Sequence, residues 1–220
     1  MNYGKYQEVI EYIQSSLNAD DFAHTCRVFN YALQILDAEK KADASVVIFA
    51  AILHDIGRAD EEAEDHGKAG SEKSYAYLTE KGYADELAKS VANCILTHCS
   101  CSEVPPQTLE AKILFDADKL DTTGAVGTAR AIAQCRLEGN PMYALGEDGL
   151  PLSGKKEEAS SLMKKYSRKL KKLEKVFFTE KAKKIAVKRQ PIMDEYFNQL
   201  AEELESNYKK GSELIKKYCN

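Results

Sequence analysis

The chain of 220 residues lacks several features that mark particular classes of protein. It has no tryptophan, and no stretch approaches the roughly 18 consecutive apolar residues that a membrane-spanning helix needs. Its first residues, MNYGKYQEVIEYIQ, lack the apolar centre of a signal peptide. These absences predict a soluble, cytoplasmic protein that makes no contact with a membrane.

The chain contains cysteines, but their spacing in the sequence does not indicate a disulfide framework or a zinc knuckle. The six cysteines are scattered along the chain, without the density of a secreted disulfide framework or the CxxC spacing of a zinc knuckle. We therefore expect reduced thiols. The alternative is a soft-metal site, because Cys99 and Cys101 flank His98 in the sequence HCSC.

Convincing alternation of apolar and polar residues, the signal of β-strands, is also missing. Apolar residues instead recur at spacings of three and four, which predicts an all-α protein. Its helices are expected near 3–17, 20–39, 43–56, 68–81, 84–98, 108–138, 157–175 and 179–209. We expect a single domain, 1–220, in which a core of about 18–138 carries a C-terminal helical extension of about 155–210. The Gly- and Pro-rich stretch GNPMYALGEDGLPLSGK marks the loop between them.

The net charge of -4 hides a strong asymmetry. Residues 155–189 contain 14 basic and 4 acidic side chains, which leaves 17 basic and 31 acidic elsewhere. Within this stretch, Leu162, Tyr166, Leu170 (or Leu173) and Phe177 recur at helical intervals, which favours an amphipathic helix with a solvated lysine face. A phosphate-attracting rim is the functional alternative. A nucleic-acid arm is the less favoured reading.

The segment VVIFAAILHDIGRAD places an imidazole and a carboxylate, His54 and Asp55, directly after an apolar run. The two side chains are about 100° apart around a helix, so both could reach one ion near its C-terminal end. Burying a lone carboxylate would cost several kcal/mol, which a cation would offset. The alternative is a buried His–Asp hydrogen bond without a metal. Gly57 then fits a helix stop.

The chain has four histidines, and together with two aspartates they form a candidate ligand set. These residues are expected at or near helix ends or beside apolar residues, where side chains can point into a shared cavity: His24, His54, His66, His98, Asp55 and Asp118. Imidazole and carboxylate ligands suit divalent ions such as Mn, Fe, Zn, Co or Mg.

The order of His24, His54–Asp55 and Asp118 resembles the signature of the HD-domain superfamily, the helical metal-dependent phosphohydrolases. Three segments are similar to the metal-binding helices of that family: DDFAHTCRVFNYALQI, AAILHDIGR and LEAKILFDADKLDTTGAVGTAR. The segment KLKKLEKVFFTEKAKKIAVKRQPIMDEYFNQLAEE resembles the C-terminal helices of a branch of small bacterial HD hydrolases. The resemblance implies an HD-domain helical bundle with C-terminal helices packed on it.

The resemblance also implies which residues bind metal. One divalent ion, Mn, Mg, Fe, Co, Ni or Zn, would be bound by His24, His54, Asp55 and Asp118. Family members with two ions add two histidines between the His–Asp pair and the last aspartate, and His66 and His98 fall in that interval. The one-ion alternative treats His66 as an exposed loop residue and His98 as a histidine favoured by a helix C-terminus.

A bound divalent ion acidifies water and polarises phosphoryl oxygens, so nearby cations should neutralise the substrate. The candidates for substrate binding are Arg27, Arg58, Lys119 and Arg130. Arg27 could instead pair with Asp20 or Asp21.

Asp55 and a second aspartate, Asp121, are the candidate catalytic carboxylates. Asp121 lies one turn after Asp118 and would orient the attacking water or bond a ligand imidazole. Asp116 is expected at the surface or as a helix cap, and Gly124 and Gly127 as sites of close helix packing.

The leading hypothesis is a phosphohydrolase that cleaves a phosphomonoester or phosphoanhydride, with a nucleotide as the favoured substrate. An HD-type di-iron oxygenase of a small molecule is the enzymatic alternative, and a non-catalytic nucleotide-binding module is the other. The expected partner is a small phosphorylated molecule. A homo-oligomer is compatible with the sequence.

Overall fold

The computed structural model of the protein describes residues 6–60, 65–99, 104–154 and 159–219. Nine α-helices occur in this part of the chain: α1 (Gln7–Ser16), α2 (Ala19–Ala38), α3 (Ala44–Leu53), α4 (His66–Glu80), α5 (Asp85–Leu96), α6 (Leu109–Leu120), α7 (Gly124–Leu137), α8 (Leu162–Arg168) and α9 (Glu180–Tyr218). Short 3₁₀ helices span Ile56–Ala59 and Leu170–Lys175. The described residues contain no β-strand, and their one isolated β-bridge joins Leu145 and Pro151. The all-α prediction is confirmed.

The chain forms two compact units. The first extends to Asp121 and includes Phe177–Ala182, and the second comprises Thr122–Val176 and the chain from Lys183 onward. The division therefore falls after Asp121, ahead of the Gly- and Pro-rich loop in which the sequence places its break. The single domain, with its core and C-terminal extension, stays a prediction.

Helix α3 is the centre of the first unit. Its residues from Val46 to Leu53 are all buried, and it packs against α1, α2, α5 and α6. A helix that is apolar on every side has no solvent face, which explains why the run shows little amphipathic period. The Asp43 side chain caps its start by accepting hydrogen bonds from the backbone N–H groups of Ser45 and Val46. This rigid helix carries His54 at its C-terminal end.

Helix α2 is amphipathic and begins at a capped turn. Asn18 accepts hydrogen bonds from the backbone N–H groups of Asp20 and Asp21, whose charges also suit the positive end of the helix dipole. Val28 and Ile35 are fully buried on the side that faces the core. His24 lies one turn before Val28 and is buried on the same face. The period of the core residues therefore also directs this histidine inward.

The single helix expected over 108–138 is wrong, because the chain breaks between α6 and α7. Asp121 ends α6, and Thr123 is extended, with φ -105° and ψ 155°. Gly124 follows with φ +63°, a backbone conformation that residues other than glycine rarely adopt. A Cβ at Gly127 would lie 2.1 Å from the carbonyl oxygen of Thr122, so this glycine fits against the break itself rather than against another helix.

Asp116 lies on α6 and caps the start of another helix, α9. It is fully buried rather than at the surface. Its carboxylate accepts hydrogen bonds from the N–H groups of Phe178 (2.9 Å) and Thr179 (2.7 Å) and from Thr179 Oγ1 (2.7 Å). These donors immediately precede α9, so Asp116 satisfies backbone groups at its start. The carboxylate thereby fixes 177–182 to α6 within the first unit.

In the second unit, the amphipathic pattern of the lysine-rich stretch is confirmed, although the single helix expected over 157–175 is divided into α8 and a 3₁₀ turn. Leu162, Tyr166, Leu170 and Leu173 are buried. The Tyr166 ring stacks on Phe197 at 4.1 Å, and its hydroxyl donates to Asp194 at 2.7 Å. Burial and this hydrogen bond raise the pKa of Tyr166.

Helix α9 extends further than the sequence indicates. It continues to Tyr218, beyond the predicted end near 209, and contains Pro191 within its length. No helix in the described chain is long and apolar enough to cross a membrane.

The thiols agree with the sequence prediction at four positions. The free cysteines are Cys26, Cys94, Cys135 and Cys219. Cys99 is disulfide-bonded, so the prediction of a reduced thiol there is wrong. Cys101 lies outside the described residues.

Candidate metal centre

The predicted metal ligands are contributed by five helices of the first unit and lie at the ends of four of them. They are contributed by α2 (His24), the end of α3 (His54 and Asp55), the start of α4 (His66), the end of α5 (His98) and the end of α6 (Asp118). Four of these side chains are at most 4% exposed, namely His24, His54, Asp55 and His98. The five helices supply residues that are as many as 94 positions apart in the sequence.

The first group of potential ligands consists of His24, His54 and Asp55, whose nearest ligand atoms all lie within 4.8 Å of one another. His24 Nε2 is 3.3 Å from His54 Nε2 and 3.5 Å from Asp55 Oδ2. It is also 3.2 Å from Oδ1 of Asp118, which is half-buried at the end of α6. Two imidazole nitrogens and the Asp55 carboxylate thus lie close together, and Asp118 contacts this group through His24.

The second group consists of Asp55, His66 and His98, again with ligand atoms within 4.8 Å of one another. His98 Nε2 lies 3.8 Å from Asp55 Oδ1. His66 is half-buried and begins α4, where the Asp65 side chain caps the helix. Asp55 belongs to both groups, so its two oxygens face different histidines.

The carboxylate of Asp55 is buried, and its two oxygens have different surroundings. Arg58 Nε forms an ion pair at 2.7 Å from Oδ2, whereas Oδ1 has no hydrogen-bonding partner among the described residues. The His54 Nε2 to Asp55 Oδ2 distance of 3.6 Å is too long for the metal-free His–Asp hydrogen bond that the sequence left open. Arg58 compensates the charge at Oδ2, but a buried oxygen without a hydrogen bond, such as Oδ1, is costly unless a further cation compensates it. The donor set therefore fits a divalent ion.

The titration of the site residues also fits metal ligands. Burial alone would raise the pKa of Asp55, but His54, His98 and Arg58 hold it well below its ordinary value, so the carboxyl is ionised. Burial lowers the pKa of His54 to about 4. Burial and the nearby Arg58 likewise lower the pKa of His66. Neutral imidazoles and an ionised carboxylate are the forms that bind metals.

Backbone carbonyl groups orient two of the histidines, a feature that the sequence analysis missed. His54 Nδ1 donates to the carbonyl oxygen of Ala51 at 3.0 Å, and His98 Nδ1 donates to that of Ile95 at 2.5 Å. Because a carbonyl only accepts, the proton lies on Nδ1 and leaves Nε2 free to bind a metal. The available signal was the position of each histidine at a helix end, where the last carbonyl groups lack the intrahelical donors of the helix interior.

Asp121 orients the remaining histidine of the first group. It is fully buried and lies 2.8 Å from His24 Nδ1. Arg27 donates to the same carboxylate through Nε at 2.7 Å and through Nη2 at 3.0 Å. The structure thus places Asp121 behind a ligand imidazole and Arg27 on Asp121, rather than beside Asp20 or Asp21. A carboxylate in this position directs Nε2 of His24 toward the ligand group.

The other candidate substrate-binding cations differ in their placement. Arg58 is 39% exposed and contacts Asp55, so its side chain reaches from the ligand group to solvent. Lys119 Nζ lies 3.1 Å from Asp118 Oδ2 and above the ring of Phe115. Arg130 is half-buried on α7 in the second unit, and its role stays a prediction.

Gly57 serves the packing of the site rather than a helix stop. A Cβ at this position would lie 2.0 Å from the carbonyl oxygen of His66. A Cβ at Gly70 would lie 3.2 Å from the carbonyl oxygen of His54. These two glycines allow the turn after α3 to approach α4 closely, which brings His66 toward Asp55.

Comparisons with known proteins bear on the family and the fold. The sequence profile of the HD domain matches residues 21–123. The Bacillus subtilis protein YpgQ is 28% identical over 207 residues, which are 90% of this chain and 93% of YpgQ. The crystal structure of YpgQ in complex with ADP matches with a TM-score of 0.70 over the same shares of the two chains. An HD-superfamily hydrolase from Bacillus thuringiensis matches with a TM-score of 0.70 and 25% identity, over 92% of this chain and 98% of its own. Residues 21–123 of this chain therefore form an HD domain.

Proposed function

We propose that the protein is a metal-dependent phosphohydrolase that cleaves a phosphomonoester or phosphoanhydride, with a nucleotide as the favoured substrate. The observation that carries the proposal is the buried Asp55 carboxylate, which is shared by two groups of histidines. The presence of ADP in the crystal structure of YpgQ supports a phosphorylated ligand.

Two ions are the expected complement. His24, His54, Asp55 and Asp118 would hold the first ion, and Asp55, His66 and His98 the second. A bound divalent ion supplies an acidified water and a Lewis acid for a phosphoryl oxygen. Mn, Mg, Fe, Co, Ni and Zn are all compatible with these ligand types.

The chain's own contribution is orientation and charge. Asp121 keeps a proton on Nδ1 of His24, and a backbone carbonyl does the same for His54, so their Nε2 atoms stay available. Arg58 and Lys119 bring positive charge beside the ligand carboxylates. Phosphoryl transfer depends mainly on positioning and charge neutralisation, which these groups supply.

The test begins with protein purified without chelator and analysed for metal content. Nucleotides and phosphomonoesters are then supplied with Mn²⁺ or Mg²⁺, and release of phosphate and pyrophosphate is measured for the wild type and Asp55→Ala. We expect the variant to lose bound metal and at least about 10³-fold in turnover, since the shared carboxylate is removed.

The matched control is Asp37→Asn, which alters an exposed carboxylate paired with Lys40. It should retain the metal content and turnover of the wild type. Full turnover by Asp55→Ala would contradict the proposal.

The HD-type di-iron oxygenase is a second candidate, because a carboxylate shared by two histidine groups also suits two irons. Stoichiometric iron together with substrate-dependent oxygen consumption, and no phosphate release, would favour it. Nucleotide binding without turnover under any of the metals would favour the non-catalytic binding module.

A further inference from the structure

The lysine-rich stretch of the second unit is not used by the proposed function, and it borders a pocket. A cavity of about 350 Å³ lies between the C-terminal end of α7 and the helix α8. Four cationic side chains and one carboxylate are among its lining residues: Lys164, Lys165, Arg168, Lys169 and Glu138. The volume is at the lower end of the range for small-molecule sites.

The walls of this pocket are fixed by hydrogen bonds. The backbone N–H groups of Leu162 and Met163 donate to the carbonyl oxygens of Pro141 and Met142, at 3.0 and 3.1 Å. These bonds join the start of α8 to the chain that follows α7. The Ser161 side chain caps α8 by accepting from the N–H of Lys164. The cavity is therefore formed by connected elements of one unit.

The cations of the pocket lie close together on one side of the helix. Lys165 and Lys169 are four residues apart, as are Lys164 and Arg168, so each pair shares a helix face. Like charges at this spacing destabilise a helix. No described residue forms an ion pair with Lys165, Arg168 or Lys169. The repulsion among these cations is what a multiply charged anion would relieve.

The carboxylate of the pocket is held by neutral partners. Glu138 accepts hydrogen bonds from the side-chain amides of Gln134 and Asn140, both at 2.9 Å. The first of these bonds, together with the charges of Lys165 and Lys169, lowers the pKa of Glu138. Glu138 offsets only one of the four positive charges that line the pocket, so these side chains keep an excess of three positive charges.

We propose that this pocket is an anion-binding site for a small ligand with several phosphate groups, separate in its residues from the metal centre. Lys165 and Lys169 contact the phosphate oxygens, and Arg168 supplies a planar guanidinium that suits bidentate binding of phosphate. The proposal favours the phosphate-attracting function of the lysine-rich stretch over a purely solvated face. It does not rest on the proposed hydrolase activity.

The probe is inorganic tripolyphosphate, titrated calorimetrically into the full chain in the presence of EDTA, so that no divalent ion contributes. We expect one binding site in the wild type and a dissociation constant at least about ten-fold weaker in Lys165→Gln/Lys169→Gln, because two charge-assisted contacts are lost. The control, Lys172→Gln/Lys175→Gln, removes the same charge from exposed positions outside the pocket and should change the constant less than about two-fold.

A change of opposite sign gives a second test. Glu138→Gln removes the one negative charge among the named lining residues and retains an oxygen acceptor, so binding should tighten by about two-fold or more. The proposal is overturned if the wild type does not bind tripolyphosphate, or if both double-lysine variants lose the same affinity. Binding of a single-stranded RNA oligonucleotide without binding of tripolyphosphate would overturn it in favour of the nucleic-acid arm.

These outcomes are independent of the hydrolase test. Tripolyphosphate binding is measured without metal, and the lysine variants leave every proposed metal ligand intact. Loss of turnover in Asp55→Ala with no tripolyphosphate binding by the wild type would retain the proposed function and reject the anion site.

Discussion

The ends of α3 and α6 both carry buried carboxylates, but these carboxylates differ in their hydrogen-bonding partners. At the end of α6, Asp116 accepts hydrogen bonds from the start of α9, and Asp121 accepts hydrogen bonds from Arg27 and lies against His24. At the end of α3, Asp55 is equally buried, but its Oδ1 has no hydrogen-bonding partner in the described chain and its Oδ2 forms an ion pair with Arg58. The difference supports the proposal that two of these carboxylates serve the protein's own structure, whereas the third binds a cation.

The difference between the ends of α3 and α6 should be most evident when the divalent ion is removed. Without it, burial opposes the protonation of His54 and His66. The region at the end of α3 should then be sensitive to pH.

The largest expected effect is therefore on the pH dependence of stability in EDTA. The pKa of His54 is about 4 in the folded chain against an ordinary value of 6.5, so the unfolded chain binds the proton more readily. The contribution of His54 to the free energy of unfolding is fully present above its ordinary pKa. It is lost as the pH falls toward 4, by about 3 kcal/mol in total. Urea unfolding at pH 7 and pH 5 should show a loss of about 2 kcal/mol of the free energy of unfolding.

His54→Gln is the control for this measurement, because it removes the titrating ring and leaves Asp55 in place. The loss between pH 7 and pH 5 should shrink by most of its value, with the lowered pKa of His66 accounting for part of the remainder. Equal pH dependence in the two proteins would show that His54 is not held neutral by burial.

The next effect concerns metal affinity at the end of α6. Asp121→Asn replaces the carboxylate behind His24 with a neutral amide, which leaves Arg27 without its ionic partner and makes the imidazole a weaker ligand. We expect about a 10- to 100-fold loss of affinity for the divalent ion, measured by competition with a metal-sensitive fluorescent chelator. An affinity equal to that of the wild type would contradict the orienting role of Asp121.

The sequence was sufficient to predict the helical class, which is confirmed, and to select candidate ligands, because both depend on residue type and order. His24, Asp55 and Asp118 could be selected since the residue order resembled a known family and the apolar period placed His24 on a core face. The break after Asp121 could not be predicted in the same way, because apolar residues keep their helical period across it. Gly124 marks it only through a positive φ that the sequence does not reveal.

The partners of the buried carboxylates were also beyond sequence reasoning, for a geometric reason. Asp116 and Asp121 are five residues apart and chemically identical, yet one meets Thr179 and the other His24. Which partner each meets depends on the direction of α6 relative to α2 and to 177–182, which is a property of tertiary packing. Spacing alone could suggest that Asp121 acts beside a ligand, but not that Arg27 would be committed to it.

The smallest expected effect separates these two neighbours. Asp116→Asn keeps one oxygen acceptor but loses the charge and the second oxygen, so it should cost about 1 kcal/mol of the free energy of unfolding, measured in urea. Metal affinity should stay within about two-fold of the wild type, because Asp116 contacts 178 and 179 and no proposed ligand. If Asp116→Asn weakened metal binding as strongly as Asp121→Asn, the end of α6 would act as one structural unit, and the division between carboxylates that hold the fold and carboxylates that orient ligands would fail.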